Sequence, residues 1–324
     1  MKKRIAIPLF SPSVLLVVAY LGIGYVIYDK LTKVERGGGA NAANTPAQFV
    51  PSPTSKFASF DTTPYFMPQY EDVRLPSRQP GLMLAAWYVE ADPAAPAVIL
   101  VHGLNGCKCN TSVLIPAGML HRAGLNVLMF DMRDMGMSDI EDGRYSAGTK
   151  EYLDMLGAWD WLIANKGIPP ERIGLFGVSL GAATALNAFA AEPRVAAAFV
   201  DSPFADMQTV MNEELARNSY PTWLAPGGVL MARLVSGDDI LSRSPLDAIR
   251  NDAGRPIFIT HGEGDKRINV HHARDLAALA AQTTANVQTW FVPGADHVEA
   301  MYLETPDYER RLTEFFKTVL GEQT

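Results

Sequence analysis

Seven short apolar runs, separated by segments patterned as helices, constrain the fold of this chain more than any other feature. They are "GLMLAAWYV" (81–89), "AVILVH" (97–102), "NVLMF" (126–130), "RIGLFGV" (172–178), "VAAAFV" (195–200), "PIFIT" (256–260) and "VQTWFV" (287–292). All seven read as strands, and "AVILVH" and "NVLMF", short and apolar, as buried ones. Between them lie "SVLIPAGMLHRAG", "GTKEYLDMLGAWDWLIANKG", "LGAATALNAFAAE", a helix around 270–282 and, last, "YERRLTEFFKTVL". In the second of these, Tyr152, Leu156, Trp159 and Ile163 share one face at spacings of three and four; in the last, Leu312, Phe315 and Val319 do. Regular strand–helix alternation predicts an α/β fold: a mostly parallel central sheet with helices on both faces. In such sheets, functional residues gather at the carboxyl ends of the strands.

The strand "RIGLF" runs straight into "GVSLG" (177–181) and then a helix of small residues. A serine on so tight a strand-to-helix turn has a strained backbone and an exposed hydroxyl, and the flanking glycines give the turn its room. Ser179 is therefore the candidate nucleophile; the competing reading is a glycine-lined packing turn. A serine needs a base, and the base needs an orienting acid, in the chain order serine, acid, histidine. Of the six histidines, only His297, in "VPGADHVEA", follows the last strand. His271 and His272 open a helix and are expected to be exposed, and His121 sits on an earlier helix. The acid is assigned to Asp265 in "HGEGD", with Asp201, Glu263 and Asp296 as rivals. For Asp201 the competing role is to brace a loop.

Four pieces together resemble the alpha/beta-hydrolase superfamily, across about residues 70–320: "HGLNG" (102–106), "DMRDMGMS" (131–138), "GVSLG", and "HGEGD" with "ADH". Asp134 stands where that family usually has glycine, which leaves the geometry of its turn open. "DSP" (201–203) is loosely similar to the prolyl-oligopeptidase and dienelactone-hydrolase-like branches. The resemblance implies an oxyanion hole made by the backbone N–H groups of Leu104 and Leu180. It also implies that the stretch at about 205–243, rich in Met, Leu, Trp and Tyr, forms a helical cap. Two-step acyl transfer requires no metal or cofactor. The apolar cap points to carboxylic esters with an apolar acyl or alcohol part. A serine peptidase acting on short peptides is the alternative, favoured less because no dedicated peptide-docking domain precedes the hydrolase. A non-catalytic, membrane-tethered binding or scaffold protein is the alternative of another class.

The first residues have a different character. "MKKR" precedes a stretch with no charge from Ile5 to Tyr28, long enough as a helix to cross a hydrocarbon core of about 30 Å. An N-terminal membrane anchor (1–30) is expected, with a cleaved signal peptide as the competitor. Basic residues flank both ends, so orientation is weakly determined; the cluster at the extreme N-terminus favours an extracytoplasmic catalytic domain. Residues 31–59, rich in Gly, Ala, Asn, Pro and Ser, are expected to be a flexible linker, and residues 60–324 the hydrolase domain. The net charge of −7 and the lack of a basic stripe give no support to nucleic-acid binding.

The only two cysteines, Cys107 and Cys109, lie just past the predicted oxyanion loop. A structural zinc site needs four ligands, so a lone C-x-C pair does not make one. A bridge across so short a spacing is hard to close. The expectation is therefore two packed thiols, with a bridge as the sharper alternative. "NTS" at Asn110 matches a glycosylation acceptor, a match expected to be coincidental.

Overall fold

The computed structural model describes residues 11–36, 43–283 and 285–321. The basic cluster at Lys2–Arg4 and the first part of the apolar stretch lie outside the described residues. A helix α1 (Pro12–Thr32) opens the chain, capped by the hydroxyl of Ser11 and started by a proline whose missing N–H costs nothing there. Two strands follow, β1 (Glu71–Pro76) and β2 (Met83–Val89). The alternating body then runs β3 (Ala97–Val101), α2 (Thr111–Arg122), β4 (Asn126–Phe130), α3 (Tyr152–Lys166), β5 (Ile173–Val178), α4 (Leu180–Ala191) and β6 (Ala197–Asp201). After the cap helices α5 (Met207–Arg217) and α6 (Ala225–Val235) come α7 (Pro245–Arg250), β7 (Ile257–Gly262), α8 (His271–Ala280), β8 (Val287–Val292), α9 (Ala300–Leu303) and α10 (Thr305–Leu320).

The strands form one eight-stranded sheet in the order β1-β2-β4-β3-β5-β6-β7-β8. From β4 to β8 all neighbours are parallel; β1 and β2 pair antiparallel at one edge. Side chains alternate between two cores. In β3, Ile99 and Val101 face the core under α3 and α4, while Val98 and Leu100 face the one under α2 and α10. The second core is rich in aromatics: Phe199 stacks on Phe258 at 4.6 Å, with Tyr308, Phe315 and Phe316 around them. Strands buried on both faces explain the unbroken apolar runs.

The sequence reading misses β1. "EDVRLP" is charged, mostly exposed and ends in proline, as suits an edge that must not pair further. The expected linker also needs correction. From Asn44 onward it is packed on the domain, with Phe49 buried. The Asn44 amide donates to the carbonyls of Val50 and Cys109. Phe57 stacks on Tyr302 at 4.4 Å. Low apolar content suggested flexibility, but a few aromatic anchors and backbone hydrogen bonds suffice to hold this segment down.

Candidate active site

Strand register brings the predicted site residues to one edge. Val101 pairs with Gly177 and Val178 with Asp201, so the loops after β3, β5 and β6 open side by side. Ser179 occupies the turn between β5 and α4 with φ +56° and ψ −120°, a region that costs a non-glycine residue about 1–3 kcal/mol. The flanking glycines are steric necessities. A Cβ on Gly177 would lie 2.2 Å from the Gly181 carbonyl oxygen, and one on Gly181 would lie 2.4 Å from that of His102.

His297 Nε2 lies 2.8 Å from Ser179 Oγ, and His297 Nδ1 lies 2.7 Å from Asp265 Oδ2. Because His297 Nδ1–H donates to the carboxylate, Nε2 is left as the acceptor for the serine hydroxyl. The other oxygen of Asp265 accepts from the amides of Arg267 and Ile268, both at 2.8 Å. Burial alone would raise the Asp265 pKa. Hydrogen bonds from His261 and His297, with the Ile268 amide, outweigh it and hold the carboxyl well below the usual carboxylate range.

His261 is a site residue that the sequence reading does not identify. It is fully buried, and its Nε2 donates to the Ile268 carbonyl at 2.8 Å and faces Asp265 Oδ2 at 3.2 Å. It approaches the same carboxylate oxygen as His297 and so braces the acid. The only signal in the sequence is its place four residues before Asp265.

The acid and base loops are joined directly. Gly264 N–H donates to the Ala295 carbonyl, and a Cβ on Gly262 would lie 2.3 Å from that same oxygen. The rival acids have other roles. Asp296 accepts from the amides of Lys266 and His297, tying the two loops. Glu263 pairs with Arg274 on the surface. Asp201 is buried and accepts from Ser202 Oγ and the Tyr308 hydroxyl, a bracing role, and burial raises its pKa.

The loop after β3 passes close over the serine. A Cβ on Gly103 would lie 3.1 Å from Ser179 Cβ. The buried His102 holds this loop: its Nδ1 donates to the Gly103 carbonyl at 2.7 Å, and its Nε2 accepts from Met132 N–H. Neither the Leu104 nor the Leu180 amide has a hydrogen-bond partner among the described residues, and both residues line the cleft that holds Ser179 and His297.

Just beyond, Cys107 and Cys109 form a disulfide, where two packed thiols were expected. Lys108 between them turns inward. Its ammonium pairs with Asp131 at 2.9 Å and its amide donates to the same carboxylate, folding the backbone tightly enough to bring the sulfurs together. The expectation for His272 also fails: it is fully buried, and only His271 reaches solvent. Asp134, by contrast, satisfies its turn. It adopts the φ of +63° that glycine would give, and its Oδ1 accepts from the amides of Glu141, Asp142 and Gly143.

The cleft holds about 630 Å³, the size of a small-molecule site. Phe204, Met207 and Val210, at the start of the cap, line it together with Val50, Pro51 and Phe57 of the segment before the sheet.

The sheet, the elbow and the loop edge define an alpha/beta-hydrolase fold, and solved structures agree. An esterase of Pyrococcus furiosus, Pf2001, superposes with a TM-score of 0.63 over 78% of this chain and 93% of its own, at 24% identity. The acylaminoacyl peptidase of Pyrococcus horikoshii gives 0.60 over 79% of this chain and 42% of its own, at 17% identity. Within that class, the model of the prolyl oligopeptidase family matches residues 117–323, and the chain belongs to that family. Among curated proteins, YfhR of Escherichia coli (strain K12) is 28% identical over 253 residues, 75% of this chain and 79% of the relative. Rv2307c of Mycobacterium tuberculosis is 29% identical over 230 residues, 70% and 72% respectively.

Proposed function

We propose that this protein is a membrane-anchored serine hydrolase that cleaves carboxylic esters with an apolar acyl or alcohol part. The observation that carries the reading is the relay of two hydrogen bonds from Ser179 through His297 to Asp265, at 2.8 and 2.7 Å. His297 takes the serine proton as Oγ bonds to the ester carbonyl carbon. The carbonyl oxygen becomes an oxyanion facing the Leu104 and Leu180 amides, each such donor being worth roughly 2.7–4 kcal/mol. Asp265 stabilises the imidazolium. The alkoxide then leaves with the proton from His297, giving an acyl-serine. Water, deprotonated by His297, attacks that acyl carbon and releases the acid and free Ser179.

The anchor reading draws on α1, 21 residues long, with its only charges, Asp29 and Lys30, near its end and the rest mostly apolar and long enough to cross a membrane. A disulfide beside the site fits an oxidising compartment, and so a catalytic domain outside the cytoplasm. We assign α1 as the anchor and residues from Asn44 onward to the catalytic body.

Hydrolysis of p-nitrophenyl acyl esters tests the reading. The wild type is expected to turn them over, and Ser179→Ala to lose activity on the order of 10⁴-fold or more. The family match favours one second reading, a peptidase acting on short peptides. Serine-dependent cleavage of aminoacyl anilides without ester turnover would establish that instead.

A further inference from the structure

Apart from Arg233 near its end, the cap helix α6 is apolar on both its inner and its outer sides. Gly227, Gly228, Val229 and Ala232 are buried, the two glycines against α1. On its outer side Pro226, Leu230 and Leu234 are exposed, and Trp223 stands exposed in the turn just before it. A helix on the surface of a water-soluble protein normally turns polar residues outward, and one that is apolar all round is buried in protein or lipid.

What lies beside this face is α1. Tyr20 stacks on Trp223 at 6.2 Å, a Cβ on Gly24 would lie 2.7 Å from the Gly227 carbonyl oxygen, and Ile27 fills the space over Gly228. Glycine against glycine brings the two backbones together, as at helix contacts within membranes. The free side of α1, including Leu15, Leu16, Val17, Val18, Ile23 and Val26, is exposed and apolar. The uncharged stretch of the sequence runs to Tyr28, so the level at which α1 needs lipid includes the turns that touch Trp223 to Gly228. Arg233, paired with Asp239 at 2.7 Å, supplies a charge at the far end of α6, suited to a headgroup layer.

We propose that the outer face of α6 lies in the lipid bilayer beside α1, so that the cap is seated in the membrane and esters reach the cleft from the bilayer. The proposal rests on the reading of α1 as the anchor.

The full chain is reconstituted in phosphatidylcholine–phosphatidylglycerol vesicles, with a bimane label on Leu230→Cys and, as control, on Lys317→Cys. Both native cysteines are paired and do not compete for the label. Nitroxide-bearing lipids are expected to quench the Leu230 label strongly and the Lys317 label hardly at all. Failure of the protein to float with the vesicles would overturn the anchor reading, and the proposal with it. Flotation with equal quenching at the two sites would overturn the proposal alone; a dimer crosslinked through Leu230→Cys would then assign the face to a second copy. In the same vesicles, Leu230→Ser with Leu234→Ser is expected to slow hydrolysis of a long-chain ester dissolved in the bilayer roughly tenfold. Turnover of p-nitrophenyl acetate should stay unchanged. Equal effects on the two esters would contradict the proposal.

Discussion

At the scale of single residues, the site is a set of close approaches that only certain side chains permit. Gly103 lets the loop after β3 pass over the serine; a Cβ there would lie 3.1 Å from Ser179 Cβ, close enough that one of the two must shift by a few tenths of an ångström. Gly103→Ala is expected to lower kcat about 10- to 100-fold by shifting the Leu104 amide or the Ser179 hydroxyl, with the thermal midpoint nearly unchanged. Steady-state kinetics beside a melting curve checks this, and an unchanged kcat would show that the loop does not contribute a donor. Chain order and strand ends point to Ser179 and His297 and rank Asp265 first among several carboxylates; that the three side chains meet is seen only in the fold. His261 is not, since its role depends on an Ile268 carbonyl placed by the fold. Nor is the cysteine bridge, which depends on Lys108 reaching Asp131 across the site.

At the scale of elements, the cap is fastened to the body by charge. Glu213 on α5 accepts from His271 and His272 on α8, and His271 also faces Asp275. Next to it, Glu214 pairs with Arg267 in the acid loop at 2.7 Å. Burial alone would lower the His271 pKa, but its bonds to Glu213 and Asp275 outweigh this and raise it. The His271 contribution is therefore complete below the ordinary histidine value and is lost as pH rises through the raised one. Glu213 is lowered, its bonds to His271 and His272 overcoming burial, so its contribution is lost as pH falls through that lowered value. Burial lowers His272, against the pull of Glu213 and Asp206, so protonating it works against the fastening in acid. The stability difference between wild type and Glu213→Gln should thus be greatest between the ordinary glutamate and histidine values and shrink on either side. Melting curves across pH check this; a flat difference would contradict it. The strands most plainly legible to the sequence reading, β3 to β7, are those buried on both faces. Where it falls short, at β1 and the segment from Asn44, the structure rests on edge pairing and a few aromatic contacts that periodicity does not register.

At the scale of the whole molecule, α1 and the catalytic body are one packed unit. Arg144 pairs with Asp29 at 2.7 Å and lies over the Tyr28 ring, so the base of α1 is held against the domain. An integral anchor predicts that the full chain stays with membranes through an alkaline carbonate wash; release into the supernatant would contradict that reading. The sequence shows the length of the apolar stretch but not its packing against α6, because that contact depends on glycines brought together from two distant segments.

The central claim is that Ser179 is a nucleophile activated through His297. Its most direct test is labelling of the folded full chain with a fluorophosphonate probe, followed by mass spectrometry of the modified peptide. A single phosphonyl adduct on Ser179 is expected, and none in Ser179→Ala or, at short exposure, in His297→Ala. A folded protein that takes up no probe, or that carries it on another serine, would contradict it.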